Sequence, residues 1–341
     1  MSTRRTRWNR IVALIVAGGL AAGLTACSSS EEEDGLLVYN AQHESLTKEW
    51  IDAFTKETGI KVTYRQGGDT ELGNQLIAEG DASPADVFLT ENSPAMAAVE
   101  RDGLFTDVDE ATIAQVPPQF RPATSKWTGV AARTTVFAYD KTKLTEAQLP
   151  TSIMDLEKPE WKGRWGAPPV KPDFQAIVAA MLELTGERAT GQWLAGMKAG
   201  AEIYSDNIAT LRAVNDGQVE GGILYHYYWF RDQSQTKEIS GNTALHYFRN
   251  QDPGAFVSIS GGGILNSSKK KEDAQKFLTF ITSKAGQEVL EKGTSFEYPV
   301  ASSVPANPAL VPLVDLQAPA VNPSNLDAQK VTDLMTKAGL L

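Results

Sequence analysis

Beyond residue 34 the hydrophobic pattern switches repeatedly between short apolar runs and stretches with helical spacing. Leu36–Asn40 (LLVYN) reads as a strand. Leu46, Trp50 and Phe54 then recur at i, i+4 and i+8 with Ile51 beside them, which predicts an amphipathic helix capped by Ser45 and ended by Gly59. Lys61–Arg65 reads as strand, Glu71–Glu79 as helix, Ala85–Thr90 as strand and Pro94–Leu104 as helix. In the second half Ile177–Leu184 and Gly191–Lys198 have helical spacing, and Asn207 can cap a helix carrying Leu211 and Val214. Gly221–Tyr225 is a short strand, and Val257–Leu265 a strand entering a glycine-rich turn. Lys271–Leu290 reads as the longest amphipathic helix, and a terminal helix covers Leu326–Lys337. Strands separated by helices predict an α/β sheet covered by helices, with ligands beyond the carboxyl ends of the strands. His43 and Glu91 fall at such places.

The first 26 residues pattern differently. Arg-rich Met1–Arg10 precedes an uncharged apolar run, Ile11–Ala26. Sixteen residues are too few for a helix to span a hydrocarbon core of about 30 Å, so residues 1–26 read as a signal peptide. Arg4-Arg5 hints at twin-arginine export, but its surroundings fit poorly. Leu24-Thr25-Ala26-Cys27 resembles a bacterial lipobox, which would place a diacylglycerol on Cys27 and leave residues 27–34, with the run SSSEEED, as a lipidated polar tether. Cys27 is the only cysteine, which excludes an internal disulfide and any Cys-based zinc or iron–sulfur site.

Composition is ordinary for a globular protein: 42% apolar and 22% charged. The charge changes the picture more. The whole chain carries −10, and without the four leader arginines the mature chain would carry −14. Such a surface argues against nucleic acid and against a polybasic membrane-binding face, and suits a cationic ligand.

The chemistry-bearing residues are modest one by one. Of the three histidines, His43, His226 and His246, His43 on spacing alone is more often structural or exposed than a ligand. Glu91 is more often a solvated residue or a helix partner. Tyr227 and Tyr228 lie in the aromatic run Tyr225–Phe230, and neighbours in an extended segment point to opposite faces. Both could meet one ion only at a strand-to-helix corner. P-loop, G-x-S-x-G, H-E-x-x-H and EF-hand patterns are absent.

Together these residues match a family. Tyr39-Asn40-Ala41-Gln42-His43, Ala85-Asp86-Val87-Phe88-Leu89-Thr90-Glu91, Lys158-Pro159-Glu160-Trp161-Lys162-Gly163, His226-Tyr227-Tyr228-Trp229 and Gln251-Asp252-Pro253-Gly254-Ala255 resemble the bacterial ferric-iron-binding proteins. These are transferrin-like solute-binding components of iron ABC transporters, and the resemblance runs from about Leu36 to Leu341. It implies His43, Glu91, Tyr227 and Tyr228 as ligands of Fe3+. Two phenolates and a carboxylate would match the charge of a hard trivalent ion while neutral imidazole fills a further position. Family members fill the two remaining positions with phosphate, carbonate or water. Pro168–Asp173 lacks the Ser and Gly of the phosphate-using branch, which puts phosphate in doubt. Arg133 stands where the family has an anion-holding arginine, or else forms a surface salt bridge. Asn207 resembles another polar residue of that pocket. Tyr225 is a reserve ligand, and His226 is expected beside the site or at the surface.

The resemblance further implies an α/β, type II periplasmic-binding-protein-like fold of two lobes, with mixed sheets covered by helices and a ligand cleft at the hinge. Lobe 1 would take 35–131 plus about 258–308, and lobe 2 would take 132–257 plus about 309–341. The expected protein is a monomeric, extracytoplasmic lipoprotein at the outer face of the cytoplasmic membrane that delivers ferric iron to an ABC-transporter permease. It is not expected to be an enzyme, since nucleophile motifs and the two-histidine, one-carboxylate oxygenase pattern are missing. The alternative is the same fold binding a small organic ligand, such as a polyamine, thiamine, a phosphonate or an organic anion, with the aromatic run boxing a cation.

Overall fold

The computed structural model describes residues 35–341. The expected signal peptide, Cys27 and the expected tether lie outside the described residues. Strand β1 (Leu36–Asn40) leads into α1 (Glu44–Thr58), which buries Leu46, Trp50, Ile51 and Phe54 and stops at Gly59, where φ is +74°. The helix is capped at His43 rather than Ser45: His43 is its last extended residue, with its N–H held by Gln42 Oε1. Next come β2 (Val62–Gln66), α2 (Asp69–Glu79), β3 (Val87–Leu89), α3 (Ser93–Arg101) and the short α4 (Glu110–Ile113).

Strand β4 (Trp127–Asp140) has no counterpart in the sequence analysis. All 14 of its residues are buried, so it lacks the alternation that marks a half-exposed strand. Then follow β5 (Trp165–Ala167), α5 (Pro172–Gly200), β6 (Glu202–Ile203), α6 (Asn207–Asn215), β7 (Gly221–Tyr225) and α7 (His226–Gln235). The two helices expected within Ile177–Lys198 are the arms of α5, broken at Gly186 with φ +81°. Asp206, not Asn207, caps α6 by accepting from Ala209 N at 2.7 Å, which frees the Asn207 side chain.

The chain closes with β8 (Thr243–His246), β9 (Val257–Ile264), α8 (Lys271–Thr282), α9 (Lys284–Lys292), α10 (Leu313–Leu316) and α11 (Ala328–Lys337). The single long helix expected over Lys271–Leu290 is two, because Ser283 leaves helical geometry and caps α9 by accepting from Gly286 N. Gly261–Gly263 form no turn. They run inside β9, where a Cβ would lie 2.4 Å from Met96 Cγ at Gly261 and 2.6 Å from Phe105 Cε1 at Gly263.

The strands form one mixed sheet in the order β2-β1-β3-β9-β4-β7-β5-β6, with β8 also paired to β4. Two parallel sets, β1 with β2 and β3, and β5 with β6 and β7, flank the antiparallel pair β4–β9. Trp127–Thr134 of β4 pair with β9; Thr135–Tyr139 pass to β7. One core gathers Trp50, Phe54, Phe277 and Phe280; another gathers Trp161, Trp165, Phe174 and Trp193. Among the described residues no helix is long and apolar enough to cross a membrane.

Gly129 sits where β4 shifts register, and a Cβ there would lie 2.1 Å from the Phe120 carbonyl oxygen. A backbone atom cannot swing away, so Gly129→Ala should destabilise by about 1–3 kcal/mol. Urea unfolding measures this, and an unchanged midpoint would contradict the packing described.

Candidate metal centre

The carboxyl ends of two strands from each parallel set deliver the site. His43 lies three residues beyond β1, Glu91 two beyond β3, Asp173 six beyond β5 and Tyr227 two beyond β7. His43 Nδ1 is bonded to Glu297 Oε1 at 2.9 Å, which turns Nε2 toward Glu91 Oε1 at 3.3 Å. The imidazole edge packs on the Tyr227 ring, centroids 4.8 Å apart and nearly perpendicular. Tyr227 and Tyr228 stand in the first turn of α7, directly after β7. That corner lets two consecutive side chains face the same way, with rings 4.3 Å apart. Both phenols donate to Asp173 Oδ2, Tyr227 at 3.2 Å and Tyr228 at 3.0 Å. Asn207 Nδ2 donates to the same oxygen at 3.0 Å and to Tyr228 Oη at 3.1 Å, and Asn92 Nδ2 donates to Asp173 Oδ1 at 2.9 Å.

Charge is unevenly shared. The Arg133 guanidinium is wholly buried and bonds Glu297, Ser260 Oγ and the Glu91 carbonyl oxygen. Burial opposes a charge on Glu297, but first Arg133 and then His43 outweigh it and hold its pKa at about 2. Glu91, with 21% of its side chain exposed, goes the other way. Burial raises it to about 8, His43 and Arg133 offset part of this, and Asp173 and Asp69 add to it. Burial likewise raises Asp69 to about 7. It pushes both phenols well above their usual value, with Asp173 adding to the effect. Burial disfavours a charged His43 ring, yet Glu91 and Glu297 prevail and raise its pKa.

Among the described residues no group of three or more His, Cys, Asp or Glu side chains is disposed to hold a metal ion, so a metal here depends on the phenols. The spacings suit one. Adjacent oxygens on an octahedral ion, with bonds of about 2.0–2.1 Å, stand roughly 2.9 Å apart. The His43–Glu91 and Tyr228–Asp173 separations of 3.3 and 3.0 Å are close to that edge. The mouth is a pocket of about 260 Å³ bordered by Asp69, Glu91, Lys171, Asp173, Asp206 and Tyr228. Another cavity, of about 450 Å³, lies among Phe120, Phe256, Ile259, Leu313 and Leu326 and is lined by no charged residue.

Residues 82–328 match the family model for a bacterial extracellular solute-binding protein. The chain belongs to that family. It is 58% identical over 94% of both chains to the Fe(3+)-binding periplasmic protein of Serratia marcescens. It is 35% identical, over 94% of its own length and 97% of the relative's, to the major ferric iron-binding protein of Neisseria meningitidis serogroup B. Iron-bound HitA from Pseudomonas aeruginosa superposes with a TM-score of 0.83 at 39% identity, covering 90% of this chain and 99% of that one. The fold is accordingly that of the periplasmic binding proteins.

In this solute-binding protein His43, Glu91, Tyr227, Tyr228 and Asn207 do come together. Arg133 is close by, its guanidinium carbon 5.7 Å from the Tyr227 ring centre, but it forms no surface salt bridge: it is buried, and protein oxygens occupy its terminal nitrogens. Tyr225 is buried and donates to Asn92 Oδ1 at 3.2 Å. His226 is not at the surface. Its Nδ1 accepts from Thr134 N, its Nε2 donates to the Phe296 carbonyl, and burial lowers its pKa to about 4. The sequence reasoning missed two residues. Asp173 was noted only within a segment lacking Ser and Gly, although an acid just after a proline that opens a helix was a usable signal. Glu297 lies in an irregular stretch with no pattern to mark it.

Glu91 gives a testable pH dependence in the metal-free protein. Its native pKa of about 8 exceeds the usual 4.5, so the native state holds a proton that the unfolded chain releases between these values. Stability is therefore lost as pH rises from 4.5 through 8. Glu91→Gln should remove this loss: no change near pH 4, and a gain of about 1–3 kcal/mol near pH 9 after allowing for solvent screening. Thermal melts at the two pH values check it, and equal effects at both would contradict it.

Proposed function

We propose that this protein captures ferric iron in the cleft and delivers it to the permease of an ABC importer, with His43, Glu91, Tyr227 and Tyr228 as ligands. The observation that carries the reading is the convergence of two neighbouring phenols with an imidazole–carboxylate pair. Ferric iron is a hard, trivalent ion that prefers anionic oxygen. An organic cation has little use for two phenolates and an imidazole in one cluster. The similarity to the Fe(3+)-binding protein of Serratia and the ferric iron-binding protein of Neisseria supports the same choice.

In this reading the lobes divide near residues 132 and 257, close to where β4 exchanges β9 for β7 as partner. His43 and Glu91 then belong to one lobe and the tyrosines to the other, so the ion biases the hinge toward closure. Glu297 fixes the imidazole from behind, the usual role of a carboxylate behind a metal-binding histidine. Asn207 and Tyr225 hold the surrounding hydrogen bonds, and Arg133 keeps Glu297 charged. The mature chain works as a monomer outside the cytoplasm, held at the outer face of the cytoplasmic membrane by two acyl chains on Cys27.

Loading with ferric iron should produce a visible phenolate-to-iron charge-transfer band and one iron per chain. Tyr228→Phe should weaken that band and lower affinity by more than about 100-fold, since loss of a ligand should exceed the effect of losing a supporting contact. Unchanged affinity would remove the phenol from the site.

Binding should also release protons. Both phenols hold theirs, and Glu91, at about 8, is mostly protonated near neutrality. Log affinity should thus rise by about two to three per pH unit around pH 7. Competition against a chelator of known proton stoichiometry measures the slope, and a flat profile would contradict proton displacement.

A further inference from the structure

We infer that Glu100, at the opposite end of α3 from Glu91, latches the closed cleft: its carboxylate joins α3 to the C-terminal segment, and this contact sets how long the ion is held. The inference rests on the ferric reading above and extends it to the control of release.

The two sides of the contact belong to different cores. Ala95, Met96 and Val99 of α3 pack with Phe88 and Trp127, whereas Leu326, Val331 and Leu334 pack with Phe174 and Trp193. Asn325 Nδ2 donates to Glu183 Oε1 of α5 at 2.7 Å, and Lys330 pairs with Glu187 at 2.8 Å. Both contacts tie the C-terminal segment to the lobe that carries the tyrosines. Glu100 bridges the two bodies. Its Oε2 accepts the Trp127 indole N–H at 2.8 Å from its own lobe and the Ser324 hydroxyl at 3.2 Å from the other. Beside it, half-exposed Arg101 faces Asp327 at 4.0 Å.

Helix α3 makes that contact felt at the metal site. Glu91 stands two residues before the helix, and Ser93 Oγ, at its first position, donates to the Ile259 carbonyl of β9 at 2.8 Å. Glu100 lies seven residues further on, about 10 Å along the axis. One rigid rod thus carries a ligand at its root on β9 and the latch near its tip, so swinging the lobes apart draws Glu100 away from Ser324. The surface between them is loosely filled. A cavity of about 450 Å³ touches Ser93, Pro323 and Leu326, and another of about 50 Å³ touches Ala95, Ala98, Ala328 and Val331. Close-packed apolar faces would resist parting, whereas a single hydrogen bond and a half-exposed charge pair can be broken and remade in water. A contact made only in the closed form lowers the fraction that opens, and so slows release. Glu100 is therefore a positioning residue that acts without touching the ion.

The test mixes the iron-loaded mature chain with excess EDTA and follows the decay of the phenolate band. Glu100→Ala and Ser324→Ala, each checked for folding by circular dichroism, should release iron about three- to tenfold faster with the band position unchanged. The double variant should be no faster than Glu100→Ala, because both changes break the same bond. Arg101→Glu sets an acid against Asp327. It should speed release relative to wild type at about 0.01 M salt and lose most of that gain at about 1 M, a response that loss of structure does not give. Release at the wild-type rate from Ser324→Ala, the milder change at a half-buried turn, overturns the latch and leaves the ferric site standing. So does a double variant whose effect is the product of the two single ones. A shifted band in Ser324→Ala would place the effect in the ligands and overturn the latch too. Wild-type protein that forms no phenolate band with ferric salt overturns the ferric reading itself, and the latch with it.

Discussion

Arg133 and Glu297 neutralise each other inside the protein, and everything else about the cleft follows from that pairing. Arg133 is the only lysine or arginine buried among the described residues. Its charge is committed to Glu297 and to neighbouring oxygens. Glu91, Asp69, Asp173 and two phenols therefore crowd one place, with Lys171 the one lysine or arginine bordering its mouth. Such a cluster is tolerable while protons are shared within it, as the raised values of Glu91 and Asp69 reflect, or when a strongly charged cation enters. The site is held in readiness for positive charge. The same pair also aims His43, whose ring would turn freely without Glu297 behind it.

Topology makes the convergence possible. Residues as far apart as His43 and Glu297 meet because two parallel sets of strands point their carboxyl ends toward the common antiparallel pair β4–β9. Each set ends in a turn to a helix, and the site side chains occupy those turns or the first helical turn. Tyr227 and Tyr228 illustrate the gain: in a strand they would diverge, whereas the first turn of α7 sends both toward Asp173. Arg133 comes from the middle of β4, where total burial prevents the guanidinium from escaping to water.

Much of this was legible in the sequence, and the failures have physical causes. The apolar spacing around Trp50 located α1, and Gly59 located its end, because an exposed helix face and a left-handed terminus leave local marks. Strand β4 left none, since burial on both faces erases alternation. The glycines of β9 read as a turn, although close approach of Met96 and Phe105 is what demands them. Of the site, the residues at strand ends in matched motifs were found. Asp173 and Glu297 were not, for their roles come from what the fold brings beside them: two phenols in one case, an imidazole and a guanidinium in the other. Resemblance supplied the proposed ligand set, whereas the supporting carboxylates needed coordinates.

The central claim is that a ferric ion sits where the two phenols, Glu91 and His43 converge. Anomalous scattering at the iron absorption edge, recorded from crystals of the loaded protein, tests it most directly. The account predicts one strong peak, about 2 Å from His43 Nε2, a Glu91 carboxylate oxygen and the oxygens of Tyr227 and Tyr228. A peak elsewhere in the molecule, or no peak in protein shown to contain iron, would contradict it.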